Sequence, residues 1–230
     1  MNRKKINNYL EKEMCICLCE LNKEIKKFIC NEDLIYKYLE LLINFNLPHK
    51  EFELGSYEFY DNQDSFNFTV NDFLEKNKIS SDKDNYYIFD TLRHAFLAYK
   101  TGGIIKLYES QQNEEGYPKI KISKFLGKDG DIDLLPSTIT IYRGTSIKEY
   151  QEGVFSQPWS LKLDIAKAFA FNHYRGQPMY LGTERVVLKT DISKKSIYYY
   201  DKNNNENEVI VKSCDIHKEN VLVVDEGIQE

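Results

Sequence analysis

The sequence has no apolar run that approaches the roughly 20 residues needed to span a bilayer. It also lacks a basic excess, because 31 Lys and Arg stand against 36 Asp and Glu, for a net charge of -5. The strongly basic footprint of a nucleic-acid-binding protein is therefore absent overall. The N-terminal residues lack the continuous apolar stretch of a secretory signal. We expect a protein that makes no membrane contact and is cytoplasmic as made, although a specialised export route could deliver it into a host cell.

A disulfide framework is also missing. The cysteines are Cys15, Cys17, Cys19, Cys30 and Cys214. Their number is odd, they form no Cys-x-x-Cys pair, and no His is near the first three, so the spacing favours neither disulfides nor a metal site. We expect reduced thiols on a helix that packs against the core, and no bound metal.

What the chain does contain is typical of a globular protein, with 42% hydrophobic and 29% charged residues over 230 positions. Apolar residues recur at three- and four-residue steps in residues 4–30, 32–45 and 84–100, which predicts three helices. The sequence Thr101-Gly102-Gly103 should end the third helix. The aromatic and acidic stretch 49–70 is predicted to be irregular.

From residue 137 the pattern changes to the two-residue alternation of β-strands. The predicted strands are TITIYRG, ERVVLKTDI, SIYYYD, ENEVIVK and NVLVVDE, with a further strand or a turn at VFSQPWS and a short helix at LDIAKAFAFNHY. Helices that precede strands predict an α+β fold. We expect two parts: a helical region of unknown role at residues 1–80, and a catalytic domain at residues 81–230.

Three short motifs follow one another in the second half of the chain. They are Ile141-Tyr142-Arg143-Gly144, Trp159-Ser160 with Ala166 and Phe169 beyond it, and Glu206-Asn207-Glu208 before an apolar strand. An arginine binds a diphosphate through paired donors. A carboxylate stabilises the positive charge that develops on a sugar when its glycosidic bond breaks. By the alternation of a strand, Glu206 and Glu208 should point into the same cleft.

In this order the motifs resemble the R-S-E class of ADP-ribosyltransferases, the class of clostridial-type binary toxins and arginine-specific ectoenzymes. The resemblance covers roughly residues 85–228 and includes the spacing of Ala166 and Phe169 six and nine residues after Ser160. It implies the mixed β-sandwich core of that class, NAD as the substrate, and no metal.

The resemblance also implies a role for each motif residue. Glu208 is the catalytic carboxylate, and Glu206 contacts the acceptor, where a Glu goes with arginine-modifying members. Arg143 and Ser160 complete the catalytic set. The residues expected to bind NAD are Arg143, Gly144, Ser160, Trp159, Phe169 and Glu208. Trp159 could equally fill the sheet, and both Ala166 and Phe169 are expected to pack.

One position departs from the family pattern. Pro158 stands where the class has the first Ser of its Ser element, a residue that often orients the catalytic Glu, and Ser156 is the neighbour that could replace it. The leading expectation is a mono-ADP-ribosyltransferase that acts as a toxin, phage or defence effector. Its acceptor is expected to be a macromolecule, a protein rather than a nucleic acid. A neutralising partner protein could also bind it. The alternatives are an NAD glycohydrolase, modification of nucleic acid, and a non-catalytic interaction module on this fold.

Overall fold

A computed structural model describes residues 2–28, 32–45, 57–79, 83–109, 118, 120–123, 130–177 and 180–229. Side chains are described from residue 64 onward in the third of these ranges and for 85–108 in the fourth. The chain divides into two compact units, Met1–Ile122 and Ser123–Glu230. The helix predicted at 84–100 therefore belongs to the first unit and not to the unit that contains the strands.

The first unit is helical in its described ranges. Its helices are α1 (Arg3–Lys12), α2 (Leu18–Ile25), α3 (Glu32–Asn44), α4 (Tyr57–Lys76) and α5 (Lys83–Glu109). Aromatic contacts join α3, α4 and α5: the ring of Tyr38 lies 5.3 Å from that of Phe73 and 5.0 Å from that of Phe89. Lys100 is buried and donates to the Ile43 carbonyl at 3.1 Å, near the end of α3. Burial lowers the pKa of Lys100.

The single helix predicted over residues 4–30 is wrong, because α1 and α2 are separated by a bend. Cys15 adopts a left-handed backbone conformation with φ 54°. The Ile16 N–H then reaches back to the Leu10 carbonyl at 2.9 Å, and Ile16 forms a β-bridge with Ile122. The bend buries Met14, Cys15 and Ile16. A straight helix would leave successive residues such as these on different faces. Cys17 lies just before α2, Cys19 lies within it, and Cys30 lies outside the described residues.

The irregular stretch predicted at 49–70 is also wrong where it can be compared, since α4 covers residues 57–76. Phe66, Val70 and Leu74 are buried at four-residue steps, which is the spacing of one helical face. Residues 49–56 lie outside the described residues. The predicted helix at 32–45 is confirmed by α3. The helical geometry of α5 is interrupted at Gly102 and Gly103, where its end was predicted, but the helix continues to Glu109.

The second unit contains one six-stranded antiparallel sheet. In chain order its elements are β1 (Thr138–Ser146), α6 (Ile147–Glu152), β2 (Pro158–Ser160), α7 (Leu163–Phe171), β3 (Glu184–Ser193), β4 (Ile197–Tyr200), β5 (Glu208–Val211) and β6 (Leu222–Ile228). The strand order is β4-β5-β2-β1-β3-β6. The α+β class is confirmed. The strands form one open antiparallel sheet rather than a mixed sandwich, because β2 pairs with both β5 and β1 and joins the two halves.

The two faces of this sheet are covered differently. One face carries the main apolar core of the unit, which includes Ile139, Ile141, Trp159, Leu188 and Val209. The other face is covered in part by α7, whose Ala166 and Ala170 pack on Val187. Tyr142, the strand partner of Ser160, packs against this cluster, so the face that α7 covers is the one that carries Ser160.

The short helix α6 was not predicted, although the sequence contains a recognisable start signal for it. Ser146 caps the helix by accepting from the Glu149 N–H at 3.4 Å, and Gly153 ends it with φ 67°. A Ser followed three residues later by a Glu is the usual pattern of such a cap. This helix matters for the site, because it delivers Glu149 to the interior of the unit.

Candidate active site

Four polar side chains from neighbouring strands lie in one row across the sheet. Glu208 on β5 pairs with Ser160 on β2, Ser160 pairs with Tyr142 on β1, and Tyr142 pairs with Lys189 on β3. Directly opposed residues in antiparallel strands project from the same face. We call Glu208, Ser160, Tyr142 and Lys189 the polar row. It lies on the face of the sheet that α7 partly covers.

Ser160 connects the second motif to the third. Its hydroxyl donates to the Glu206 carbonyl at 2.8 Å and accepts from the Lys162 N–H at 3.1 Å. The Leu161 N–H adds a bond to the Asn207 carbonyl at 3.0 Å. The hydroxyl therefore fixes the backbone that leads into Glu208. Ser160 acts here as a positioning residue for the segment that carries both carboxylates.

Glu206 does not share the strand geometry of Glu208. The strand β5 begins at Glu208, and Asn207 before it has a left-handed φ of 47°. The alternation of side chains thus does not extend back to residue 206, and a common cleft for the two carboxylates stays a prediction without the support of strand geometry. Glu206 is exposed, whereas Glu208 is half-buried.

The loop that carries Glu206 is built from two successive turns. The Asn204 N–H donates to the Asp201 carbonyl at 3.2 Å, and the Asn207 N–H donates to the Asn204 carbonyl at 2.9 Å. Asp201 and Asn204 side chains each accept a backbone N–H two residues on, both at 2.8 Å. Asn and Asp stabilise turns in this way. The polar run of the loop therefore holds Glu206 in a defined position beside Ser160.

Arg143 lies on the opposite face of the sheet from the polar row. It is 5% exposed, and its Nε and Nη2 donate to the two carboxylate oxygens of Glu149 at 2.9 and 3.3 Å. Glu149, also 5% exposed, accepts further bonds from the Thr145 hydroxyl at 2.8 Å and the Ser156 N–H at 2.9 Å. The pair is thus charge-balanced and hydrogen-bonded, as a buried ion pair must be to persist.

The Pro158 carbonyl is a further partner of Arg143. The strands β1 and β2 are joined by the single residue pair Tyr142–Ser160. The Arg143 Nη1 donates to the Pro158 carbonyl at 2.5 Å. The Arg143 guanidinium therefore links β1 to the backbone of β2 beyond the one residue pair that joins these strands. Arg143 holds β1, α6 and β2 together.

Ser156 does not replace the missing serine at position 158. Its side chain is buried, and its hydroxyl has no hydrogen-bond partner among the described residues. Its N–H is bound to Glu149, on the Arg143 side of the sheet. The idea that Ser156 orients Glu208 is therefore wrong. Ser160 reaches the same segment through the Glu206 backbone instead.

Trp159 belongs to the core and not to the polar row. It is 2% exposed, and its ring meets Phe155 edge-on at 6.0 Å. The indole N–H donates to the Ser156 carbonyl at 3.0 Å. Trp159 follows the alternation of β2, which turns it away from Ser160. Of the two roles considered for Trp159, the structure shows core packing.

Gly144 provides the close contact between β1 and α7. A Cβ at this position would lie 2.1 Å from the Ala166 carbonyl oxygen and 2.5 Å from the Ala170 nitrogen. Helix backbone atoms cannot move aside as a flexible side chain can. Gly144 thus sets how closely α7 lies on the sheet beside the polar row, and packing is the role the structure shows for it.

We expect Gly144→Ala to destabilise the second unit by at least about 2 kcal/mol, because overpacking against backbone forces a shift of the helix. Trp159 is the only Trp of the chain and is buried in this unit, so its fluorescence during urea unfolding reports on this unit. Gly227→Ala is the matched control, because its Cβ would meet only the Phe171 ring, at 3.2 Å. Equal midpoints for the two variants would contradict the packing role of Gly144.

Phe169 is half-buried near the end of α7, and its ring lies 5.1 Å from that of His173. The end of α7 is held by Arg185, whose Nε donates to the Ala170 carbonyl at 3.2 Å and whose guanidinium lies 4.9 Å from the Tyr174 ring centre. A cation at the C-terminal end of a helix also complements the helix dipole. Phe169 packs at this end, as predicted, and its contact with NAD stays a prediction.

No family model, curated protein or solved structure matches the chain. None of the described helices has the length and apolar character needed to cross a membrane. In the part of the chain that the structure describes, no three His, Cys, Asp or Glu side chains form a group that could hold a metal ion.

Sequence reasoning missed three residues of this region: Tyr142, Lys189 and Glu149. Tyr142 stands inside the first motif and was passed over as the aromatic before Arg143. Lys189 has no sequence signal of its own, because only strand pairing brings it beside Tyr142. The cap pattern of Ser146 and Glu149 could have revealed α6, but not the contact with Arg143.

Proposed function

We propose that the protein is a mono-ADP-ribosyltransferase that cleaves NAD at the nicotinamide–ribose bond and transfers ADP-ribose to a macromolecular acceptor. The observation that carries the proposal is the direct pairing of Ser160 with Glu208. Two motifs that lie far apart in the sequence are thereby adjacent in space, on a face that also holds Tyr142. Ser160 positions the backbone of the segment that carries Glu208, and the phenol of Tyr142 and the carboxylate of Glu208 in the same row are suited to bind a ribose.

In the proposed reaction Glu208 binds the ribose hydroxyls and stabilises the positive charge that develops at the anomeric carbon. The bond between this carbon and the nicotinamide nitrogen breaks, and its electron pair stays with the nitrogen, which neutralises the pyridinium. The acceptor atom then forms a bond to the same carbon and loses a proton. Because nicotinamide leaves as a neutral molecule, no general acid is required for its departure.

Glu206 is proposed to receive the proton of the acceptor. Its exposed position on the loop next to Glu208 allows an approaching macromolecule to reach it. A carboxylate pairs with a guanidinium and can accept a proton, which favours protein arginine as the acceptor. The contact of Arg143 with the NAD diphosphate stays a prediction, and in the structure its guanidinium donates instead to Glu149 and Pro158.

The proposal is tested by incubating the full chain with NAD labelled in its adenosine half, in the presence of a cell lysate and of an arginine-rich peptide. We expect free nicotinamide and label bound to the acceptor. Nicotinamide with only free ADP-ribose would show a glycohydrolase instead, and label on added nucleic acid would show a different acceptor. No nicotinamide under any of these conditions would refute the enzymatic proposal in favour of an interaction module.

Glu206→Gln is expected to reduce transfer to arginine at least about 100-fold, a typical loss for a general base, while the release of nicotinamide to water persists. Both rates are measured on the same samples, by labelled peptide and by free nicotinamide. Glu219→Gln, a change at an exposed residue outside this loop, serves as the control. If transfer to arginine is unchanged in Glu206→Gln, the acceptor role of Glu206 is wrong.

A further inference from the structure

Lys189 is the one cationic member of the polar row. It lies on β3, directly opposite Tyr142 on β1, and therefore on the same face as Ser160 and Glu208. Lys189 is half-buried. No hydrogen bond or ion pair joins its ammonium group to another residue in the described part of the chain.

No carboxylate of the described residues lies within ion-pair distance of the Lys189 ammonium group, so its positive charge is not balanced by a direct contact. Asp191 lies two residues further along the same face of β3, but its carboxylate accepts the Thr140 hydroxyl at 2.5 Å. The carboxylate of Glu208 is at the other end of the row. An anion bound between these groups would supply the charge that Lys189 lacks.

We propose that Lys189, with Tyr142 beside it, binds the diphosphate of the dinucleotide whose ribose is bound by Glu208. This inference rests on the proposed function. The ammonium group of a lysine is a common phosphate ligand, and the phenol of Tyr142 can donate to a phosphate oxygen. Arg143 is less suited, because it is buried on the opposite face with its donors bound to Glu149 and Pro158.

The dimensions of the sheet are compatible with this assignment. Three strand spacings of about 4.8 Å separate the backbone of Glu208 from that of Lys189, which gives about 14 Å. Both side chains project from the same face of the sheet, and the long flexible stem of a lysine can shorten the gap. In a nicotinamide nucleotide the anomeric carbon and the diphosphate are only a few bonds apart. A ribose on Glu208 therefore leaves its diphosphate over Tyr142, within reach of Lys189.

The test compares steady-state nicotinamide release by wild type, Lys189→Gln and Lys189→Arg. A ligand that binds the diphosphate in both the ground state and the transition state changes KM more than kcat. We expect Lys189→Gln to raise the KM for NAD at least about tenfold with kcat within about threefold, and Lys189→Arg to restore most of the loss. Lys195→Gln, an exposed lysine beyond the end of β3, is the control and should leave KM unchanged.

A second readout does not depend on catalysis. Binding of ADP-ribose and of inorganic pyrophosphate is measured by calorimetry, and Lys189→Gln should weaken both at least about tenfold. If wild type releases nicotinamide but Lys189→Gln has a native KM, the assignment of Lys189 is overturned and the proposed function stands. If wild type neither releases nicotinamide nor binds ADP-ribose, the proposed function itself fails.

Discussion

Glu208→Gln is expected to lower the rate of nicotinamide release from NAD by at least about 10²–10³-fold, the usual cost of removing one preorganised electrostatic group from a transition state. The amide keeps the size of the side chain and its ability to bind a hydroxyl. It removes the negative charge that opposes the developing positive charge on the ribose. The effect should therefore appear in kcat much more than in KM.

The measurement is nicotinamide release under saturating NAD, with the folded state of each variant checked by Trp159 fluorescence. Glu184→Gln, an exposed carboxylate at the start of β3, is the matched control and should retain native activity. Equal nicotinamide release by wild type and Glu208→Gln would remove Glu208 from the chemistry. The motif would then be a feature of the fold alone.

The strands of the second unit could be predicted from sequence because their alternation is regular and one face is strongly apolar. Residues such as Ile139 and Ile141 are buried at two-residue steps, and each lies in the core cluster. The order of the strands in the sheet could not be predicted in this way. Pairing between β2 and β5 depends on contacts distant in sequence, which local alternation does not encode.

In the candidate site, too, residue types could be predicted from sequence but spatial arrangement could not. The residue types of the motifs identified Ser160 and Glu208, and strand pairing places these two side by side. Arg143 was expected to face a ligand because its chemistry suits a diphosphate. Its direction is decided by the parity of its position on β1 relative to Tyr142, and by the carboxylate that α6 brings to it. Neither fact is visible without the register and the three-dimensional position of Glu149.

Errors in the helical unit have a related cause. The left-handed backbone of Cys15 interrupts a pattern that reads as one continuous helix. A non-glycine residue in this conformation is uncommon. A cysteine at this position therefore gives no sequence signal for the bend. The buried face of α4 was present in the sequence as Phe66, Val70 and Leu74, but the acidic and amide residues around it concealed the spacing.

Glu149→Leu is expected to destabilise the second unit by about 3–5 kcal/mol, since it leaves the buried charge of Arg143 without its partner. Three donors besides Arg143 Nε depend on the same carboxylate: Arg143 Nη2, the Thr145 hydroxyl and the Ser156 N–H. The loss is measured as the shift of the urea midpoint followed by Trp159 fluorescence. Glu152→Leu, at an exposed position on the same helix, should shift the midpoint by less than about 0.5 kcal/mol.

The double variant Arg143→Met with Glu149→Leu should recover most of this loss, because replacing both members of a buried ion pair with apolar side chains is often neutral or stabilising. A double variant no more stable than Glu149→Leu would show that the carboxylate acts mainly through Thr145 and Ser156 rather than through Arg143. The folded double variant also separates the two roles of Arg143. A KM for NAD raised more than about tenfold would establish a diphosphate contact. A smaller change would establish that Arg143 serves to hold β1 against β2. Its burial and its bond to the Pro158 carbonyl favour this second role.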